Sequence, residues 1–314
     1  MRVGLIDVDG HNYPNLPLMK LSAWHKARGD SVEWYEPLFS GHLDIVYMSK
    51  VFSFTPDYEY FIDADKIIKG GTGYAITLAE GREVYDKSKD LNLPPEIEHI
   101  YPDYSLYTEK TSDTAYGFLS RGCPRGCDFC HVAPKEGKCS IKVADLAEFW
   151  RGQKHIELLD PNILACSEWR DLLEQLIESK AGVNFNQGLD IRVMTEEKAE
   201  TLSRIKTEAI HFAWDRYEDK ELIQPKFKMF RQISKIRQKD LQVYVLCGDR
   251  ERKILPEDLE RIYWLRSNGY APYVMLYNKN ELPKDHELIK LQRWVNNRFI
   301  FWTVDNFDNY LKAN

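Results

Sequence analysis

The chain has 314 residues, 43% of them hydrophobic and 29% charged, with a formal net charge of −6. That is the composition of a globular protein long enough for two domains, and it excludes fibrous and disordered classes. The negative balance disfavours a broad basic surface for nucleic acid, and no apolar run is long enough to span a membrane, so a small-molecule or peptide substrate is expected.

In chain order, strand-like apolar runs at 3–8, 31–35, 45–48 and 66–68 accompany a helical pattern over 16–28. They predict a smaller, doubly wound domain over residues 1–108. Its boundary lies in 93–112, where Pro94-Pro95 and Pro102 give way to polar residues. Beyond it, β-like runs at 116–120, 155–159, 183–187, 209–214, 243–247 and 272–277 alternate with helical patterns at 143–153, 167–179, 196–205, 221–238, 256–267 and 284–296. Six βα units predict an α/β fold on a parallel sheet over residues 109–314. The aromatic tail, with Trp294, Phe299, Phe301, Trp302, Phe307 and Tyr310, reads as core.

Cys123, Cys127 and Cys130 form a C-x3-C-x2-C run directly after the first of these six strands. Three thiolates leave one iron of a four-iron cubane without a protein ligand and open to a substrate or cofactor. Gly122 and Gly126 allow the tight turns that would bring the sulfurs together, and their amides are candidate donors to sulfur. A structural zinc ion would need a fourth ligand, for which there is no second cysteine pair and only an awkward His131 beside Cys130. Cys139, Cys166 and Cys247 stand alone and read as small buried hydrophobes. With three of six cysteines committed to a cluster, and a start at Met1-Arg2 without the form of a signal peptide, the expected compartment is the reducing cytoplasm.

The cysteine run in its strand-following loop resembles the radical S-adenosylmethionine (SAM) superfamily. The resemblance implies that a [4Fe-4S] cluster on Cys123, Cys127 and Cys130 chelates SAM through its amino and carboxylate groups. It further implies reductive cleavage of the sulfonium to a 5′-deoxyadenosyl radical, which takes a hydrogen atom from substrate. A partial (βα)6 TIM-like barrel with chemistry at the C-terminal strand ends follows, as do oxygen sensitivity and a flavodoxin- or ferredoxin-type reductant. Phe129 takes the place of the aromatic residue that lies near the adenine. Asp160 is placed to receive the SAM ammonium, Arg192 to clamp its carboxylate, and Gln187 or Asp190 to meet the ribose hydroxyls. On residue chemistry alone, Asp160-Pro161-Asn162 is equally a turn, and Asp190 with Arg192 equally an ion pair bracing a loop. Asp215-Arg216, Gly248-Asp249 and Tyr277-Asn278 end later strands in the same polar way.

The first domain resembles the cobalamin-binding domains that precede some radical SAM barrels. Asp9-Gly10-His11 matches the start of a D-x-H-x-x-G run, in which His11 would ligate cobalt and Asp9 would orient its other nitrogen. Ser49-Lys50-Val51 and Gly70-Gly71 match the second and third motifs. Pro14 stands where that family has glycine and Val51 where it has leucine, and a Rossmann-like domain that holds no corrin is the alternative. By residue type alone, Asp7, Asp9 and His11 make a solvated turn. The leading expectation is a radical SAM enzyme acting on an unidentified small molecule or peptide. The alternatives are a cobalamin-dependent radical SAM methyltransferase and a non-catalytic SAM- or redox-sensing iron-sulfur protein.

Overall fold

A computed structural model describes residues 1–79, 82–248, 252–277 and 279–313. The chain divides into two compact units, Met1–Glu157 and Leu158–Asn314.

In the first unit, strands β1 (Arg2–Asp7), β2 (Ser31–Trp34), β3 (Leu43–Ser49) and β4 (Ala64–Gly70) run parallel in the order β2-β1-β3-β4. All four expected strands are present, and the expected helix spans Leu16–Ala27. Asn15 starts that helix by accepting from the Leu18 amide at 3.3 Å. Val3, Leu5 and Ile45 pack with Leu18 and Leu21 of the helix, while Ile6, Val46 and Met48 pack with Tyr35 on the other face. A parallel sheet covered on both faces needs apolar residues at consecutive positions, which is why these strands read as nearly unbroken apolar runs. Full burial of each such side chain stabilises the fold by about 1.5–3 kcal/mol. Strand order reverses between β1 and β3, and beyond their C-terminal ends lies the crevice where doubly wound sheets bind ligands.

Four short strands follow: a hairpin of β5 (Ile76–Ala79) with β6 (Arg82–Tyr85), then β7 (Thr114–Gly117) and β8 (Ser120–Arg121). Strand β8 pairs antiparallel with β9 (Ile141–Lys142), so the cysteine loop is the connection of a two-stranded ladder. The expected strand 116–120 is therefore displaced to Thr114–Gly117. The expected helix 143–153 reduces to a 3-10 turn at Leu146–Glu148. The ladder is the reason: the amides of Val143 and Ala144 donate to the Leu119 carbonyl and extend the β pairing into the segment's start.

Strand β10 (His155–Leu158) neighbours β7, and the division between the units falls inside it. The second unit continues with β11 (Gly182–Leu189), β12 (Thr207–Ala213), β13 (Leu241–Cys247) and β14 (Ala271–Leu276). These four lie parallel in sequential order, as repeated βα units produce. Helices Trp169–Ser179, Glu196–Arg204, Lys220–Ile233, Pro256–Ser267 and Glu287–Asn296 occupy the connections. The helix expected over 221–238 stops at Ile233, because the Ser234 hydroxyl accepts from the Ile236 amide and Arg231 donates to the Ile236 carbonyl.

Residues alternate strictly along β13 and over the second half of β12. Val183, Phe185, Ile210, Phe212, Val243, Val245 and Val274 are fully buried, with Phe212 set edge-on against Phe227 and Phe230. Asn184, Asn186, His211, Gln242, Tyr244 and Tyr273 share the opposite, half-buried face. Trp294, Phe301, Phe307 and Tyr310 of the tail are core, whereas Phe299 is exposed. Among the described residues no helix is long and apolar enough to cross a membrane.

Candidate functional site

The cysteine loop belongs to the first unit. Gly122 has φ +87, and a Cβ there would lie 2.1 Å from the Cys139 carbonyl oxygen, so only glycine lets the two limbs of the loop approach. Gly126 has φ +59. The Cys123 amide donates to the Gly137 carbonyl at 3.1 Å and the Cys130 amide to the Cys127 carbonyl at 2.9 Å. Cys123, Cys127 and Cys130 are half-buried. The Gly122 amide, expected as a donor to sulfur, instead donates to Glu136 at 3.2 Å. Phe129 is 44% exposed. Cys166 and Cys247 are buried as expected, and burial pushes both thiols up; Cys139 is exposed, because it lies in the turn beneath Gly122.

At the carboxyl ends of β1 and β3, the residues of the cobalamin-like motifs lie in one neighbourhood. Asp9 accepts from the Val51 amide at 2.5 Å, the Phe52 amide at 3.3 Å and the Thr55 hydroxyl at 2.6 Å. The exposed His11 ring lies 4.2 Å from that of Trp34 and edge-on to Tyr107. Ser49 accepts from Asn15 at 2.9 Å. Gly71 has φ +100, and a Cβ on it would meet the Lys50 carbonyl oxygen at 2.3 Å. Gly70 has only ordinary contact with Leu91.

Asp7 is the titrating group of this crevice. It accepts from the Tyr107 hydroxyl at 2.6 Å, yet burial outweighs that bond and raises its carboxyl to about 6. The folded protein thus holds this proton more tightly than the unfolded chain does. Its contribution to stability is full below pH about 4 and is lost as pH rises from about 4 to 6. Asp7→Asn is expected to flatten that fall in urea-unfolding stability against pH; an unchanged slope would show that Asp7 does not cause it.

In the second unit, the ends of β11 and β12 gather a charged cluster. Asp190 accepts from the Arg192 amide at 3.0 Å and from its Nε at 2.7 Å, while Arg192 Nη1 donates to Asp219 at 3.0 Å. Burial opposes the Arg192 charge, but Asp190 and then Asp219 outweigh it and hold the guanidinium firmly protonated. Asn162 donates to Asp190 at 3.4 Å, which ties the buried segment of Asp160 and Asn162 to the same place. Gln187 is exposed, at a register shift between β11 and β12 where Gly188 takes φ +101. Asp190, Arg192 and Asp219 therefore share one cluster, with Arg192 held between the two carboxylates and Asn162 reaching Asp190 at its edge; Asp160 is buried two residues away.

Sequence reasoning missed Lys198 and Lys226, whose ammonium groups donate to the carbonyls of Leu164, Val193 and Met194 and fix this loop. It also passed over the half-buried sheet face. There His211 Nδ1 donates to the Phe185 carbonyl at 3.0 Å and the ring stacks on Tyr244 at 5.3 Å, with burial lowering the imidazole. Strict period-two alternation of Gln242 and Tyr244 with valines was the available signal. Asp215 is pushed up by burial, an effect eased by the Arg192 and Arg261 charges; Asp249 and Asn278 lie outside the described residues.

No protein-family model matches the chain, and no curated protein sequence matches it. Among solved structures, it is similar to TsrM of Kitasatospora setae, a radical SAM methyltransferase with cobalamin and a [4Fe-4S] cluster bound. The TM-score is 0.58 at 11% identity, over 88% of this chain and 74% of that one. The likeness is one of fold. The donor set of the cysteine loop suits a [4Fe-4S] cluster: three half-buried thiols on a loop closed by left-handed glycines. Among the described residues no three His, Cys, Asp or Glu side chains converge on a single-ion site, the arrangement zinc requires. A cubane differs in spreading its ligands over separate irons. The cobalamin-like residues do not fit a corrin held through His11. Asp9 is engaged by the 51–55 turn instead of the imidazole, Ser49 by Asn15, and the room beside Gly71 by the Lys50 backbone.

Proposed function

We propose that the chain is a radical SAM enzyme, with Cys123, Cys127 and Cys130 holding a [4Fe-4S] cluster and a small molecule or peptide as substrate. The observation that carries this reading is the C-x3-C-x2-C loop following the first strand of a radical SAM-like fold. A bound cluster, itself reduced by the external donor, would supply one electron that breaks the S–C5′ bond of the SAM sulfonium, releasing methionine and a 5′-deoxyadenosyl radical able to abstract hydrogen. The chain's residues bind and orient. Phe129 offers its exposed ring to the adenine, Asp160 faces the ammonium, and Gln187 and Asp190 serve the ribose. Arg192, already paired with Asp190 and Asp219, acts on the SAM carboxylate as part of that cluster. The functional modules are a Rossmann-like domain over 1–108 and a partial (βα)6 barrel over 109–314, in the cytoplasm and with a flavodoxin- or ferredoxin-type donor.

A cobalamin-dependent methyl transfer is the second reading, favoured by the cobalamin bound to TsrM. Against it stand the engaged Asp9, Ser49 and Gly71. Two measurements on anaerobically reconstituted protein separate the readings. Added SAM is expected to change the electron paramagnetic resonance spectrum of the reduced cluster, and cobalt is expected to stay far below one per chain after exposure to hydroxocobalamin. A spectrum indifferent to SAM would remove the leading reading, and stoichiometric cobalt would put the second in its place.

A further inference from the structure

We infer that the loops of the first sheet brace the cysteine loop, with Thr72, Glu83 and Glu98 as positioning residues for the cluster. The inference rests on the cluster reading above, and all of its contacts lie within the first unit.

Three grips carry it, and they fall at the start, middle and end of the loop. At the start, Arg121 lies 3.9 Å over the Phe118 ring and bridges Glu98 at 3.4 Å and Glu136 at 3.2 Å. Glu98 also accepts from the largely buried Lys20 at 2.9 Å, which ties this grip to the helix Leu16–Ala27. Glu136 turns back to accept the Gly122 amide, one residue before Cys123. In the middle, His131, next to Cys130, places Nε2 3.1 Å from Glu83 of the β5–β6 hairpin, and the Ser53 hydroxyl donates to the same carboxylate. At the end, Lys135 Nζ donates to the Thr72 hydroxyl at 2.5 Å. Lys135 is buried there, and burial lowers its ammonium.

The loop needs such support. Its one helix, Val132–Glu136, is a single turn that cannot sustain itself, and Gly122, Gly126 and Gly137 all take positive φ. Thr72 directly follows Gly71, so the segment of the third cobalamin-like motif here holds the cysteine loop.

Full-length Thr72→Val/Glu83→Ala removes two grips, while Glu83→Gln keeps a hydrogen-bonding group and loses the charge. In hydrogen exchange on the apo chain, the double variant is expected to lose about five- to ten-fold protection at amides 122–137, with strands β1 and β2 unchanged. Once the cluster is reconstituted, the double variant should release iron to a chelator faster by a similar factor. Glu83→Gln, which keeps a hydrogen-bonding partner for His131, should exchange and release iron like the parent. Unchanged exchange and iron release in the double variant would overturn the brace. A parent chain that fails to load iron and sulfide would overturn the cluster reading alone, and the exchange result would still decide the brace.

Discussion

Replacing Cys127 with alanine is expected to abolish the iron-sulfur chromophore and to drop SAM cleavage to background, while the fold changes in stability by less than about 1 kcal/mol. A cubane with one open iron depends on all three thiolates, so no residual site is left when one is removed. Cys123→Ala and Cys130→Ala should behave identically. The control is Cys139→Ala: Cys139 is exposed and lies at the loop's far limb, so the cluster should load as in the parent. Iron and sulfide analysis with the visible spectrum checks this. Loss of iron in Cys139→Ala would make Cys139 a fourth ligand and remove the open coordination position on which the proposed chemistry depends.

The largest effect on stability is expected from Arg261→Met, at about 3–5 kcal/mol. Arg261 is buried, and Nη1 donates to the carbonyls of Trp214 at 2.7 Å and Asp215 at 3.0 Å. Its Nη2 donates to the Leu246 carbonyl at 2.9 Å and to Asp258 at 2.6 Å. Asp258 in turn accepts the amides of Gly248 and Leu255, both at 3.0 Å. One guanidinium thereby locks the C-terminal ends of β12 and β13. Methionine would fill the space yet leave a buried carboxylate without its cation and three carbonyls without their donor. Urea unfolding followed by tryptophan fluorescence reports it directly, because Trp214 and Trp264 meet edge-on 5.5 Å apart in the same unit. A loss below about 1 kcal/mol would show that the strand ends hold without this pair.

Arg261 also marks the limit of what the amino-acid sequence discloses. The strands around it were legible, since buried parallel strands announce themselves as β-branched and aromatic runs such as Val243 to Cys247, and the helix Pro256–Ser267 carries proline at its first turn. Outside its own helix, the partners of Arg261 are backbone carbonyls at the ends of two strands, and nothing local encodes that meeting. The misread segment 143–153 has helical residues, but its start is captured by the Leu119 carbonyl, a tertiary contact that overrides propensity. Within the site, the cysteine spacing is a local code, and the structure carries the three half-buried thiols on one loop. Asp9 is different: its place in a D-x-H run suggested a histidine partner, and the folded chain gives it the amides of Val51 and Phe52 instead. Arg192 shows the same ambiguity, because a residue suited to clamp a carboxylate ligand is equally suited to Asp190 two positions away.

The account's central claim is that the cysteine loop starts radical chemistry on SAM, and product analysis of the anaerobically reconstituted chain with SAM and dithionite tests it most directly. The predicted result is 5′-deoxyadenosine that requires the reductant and is lost in Cys127→Ala. A chain carrying about four irons that yields neither 5′-deoxyadenosine nor S-adenosylhomocysteine would contradict both enzymatic readings and leave a sensing or electron-carrying role.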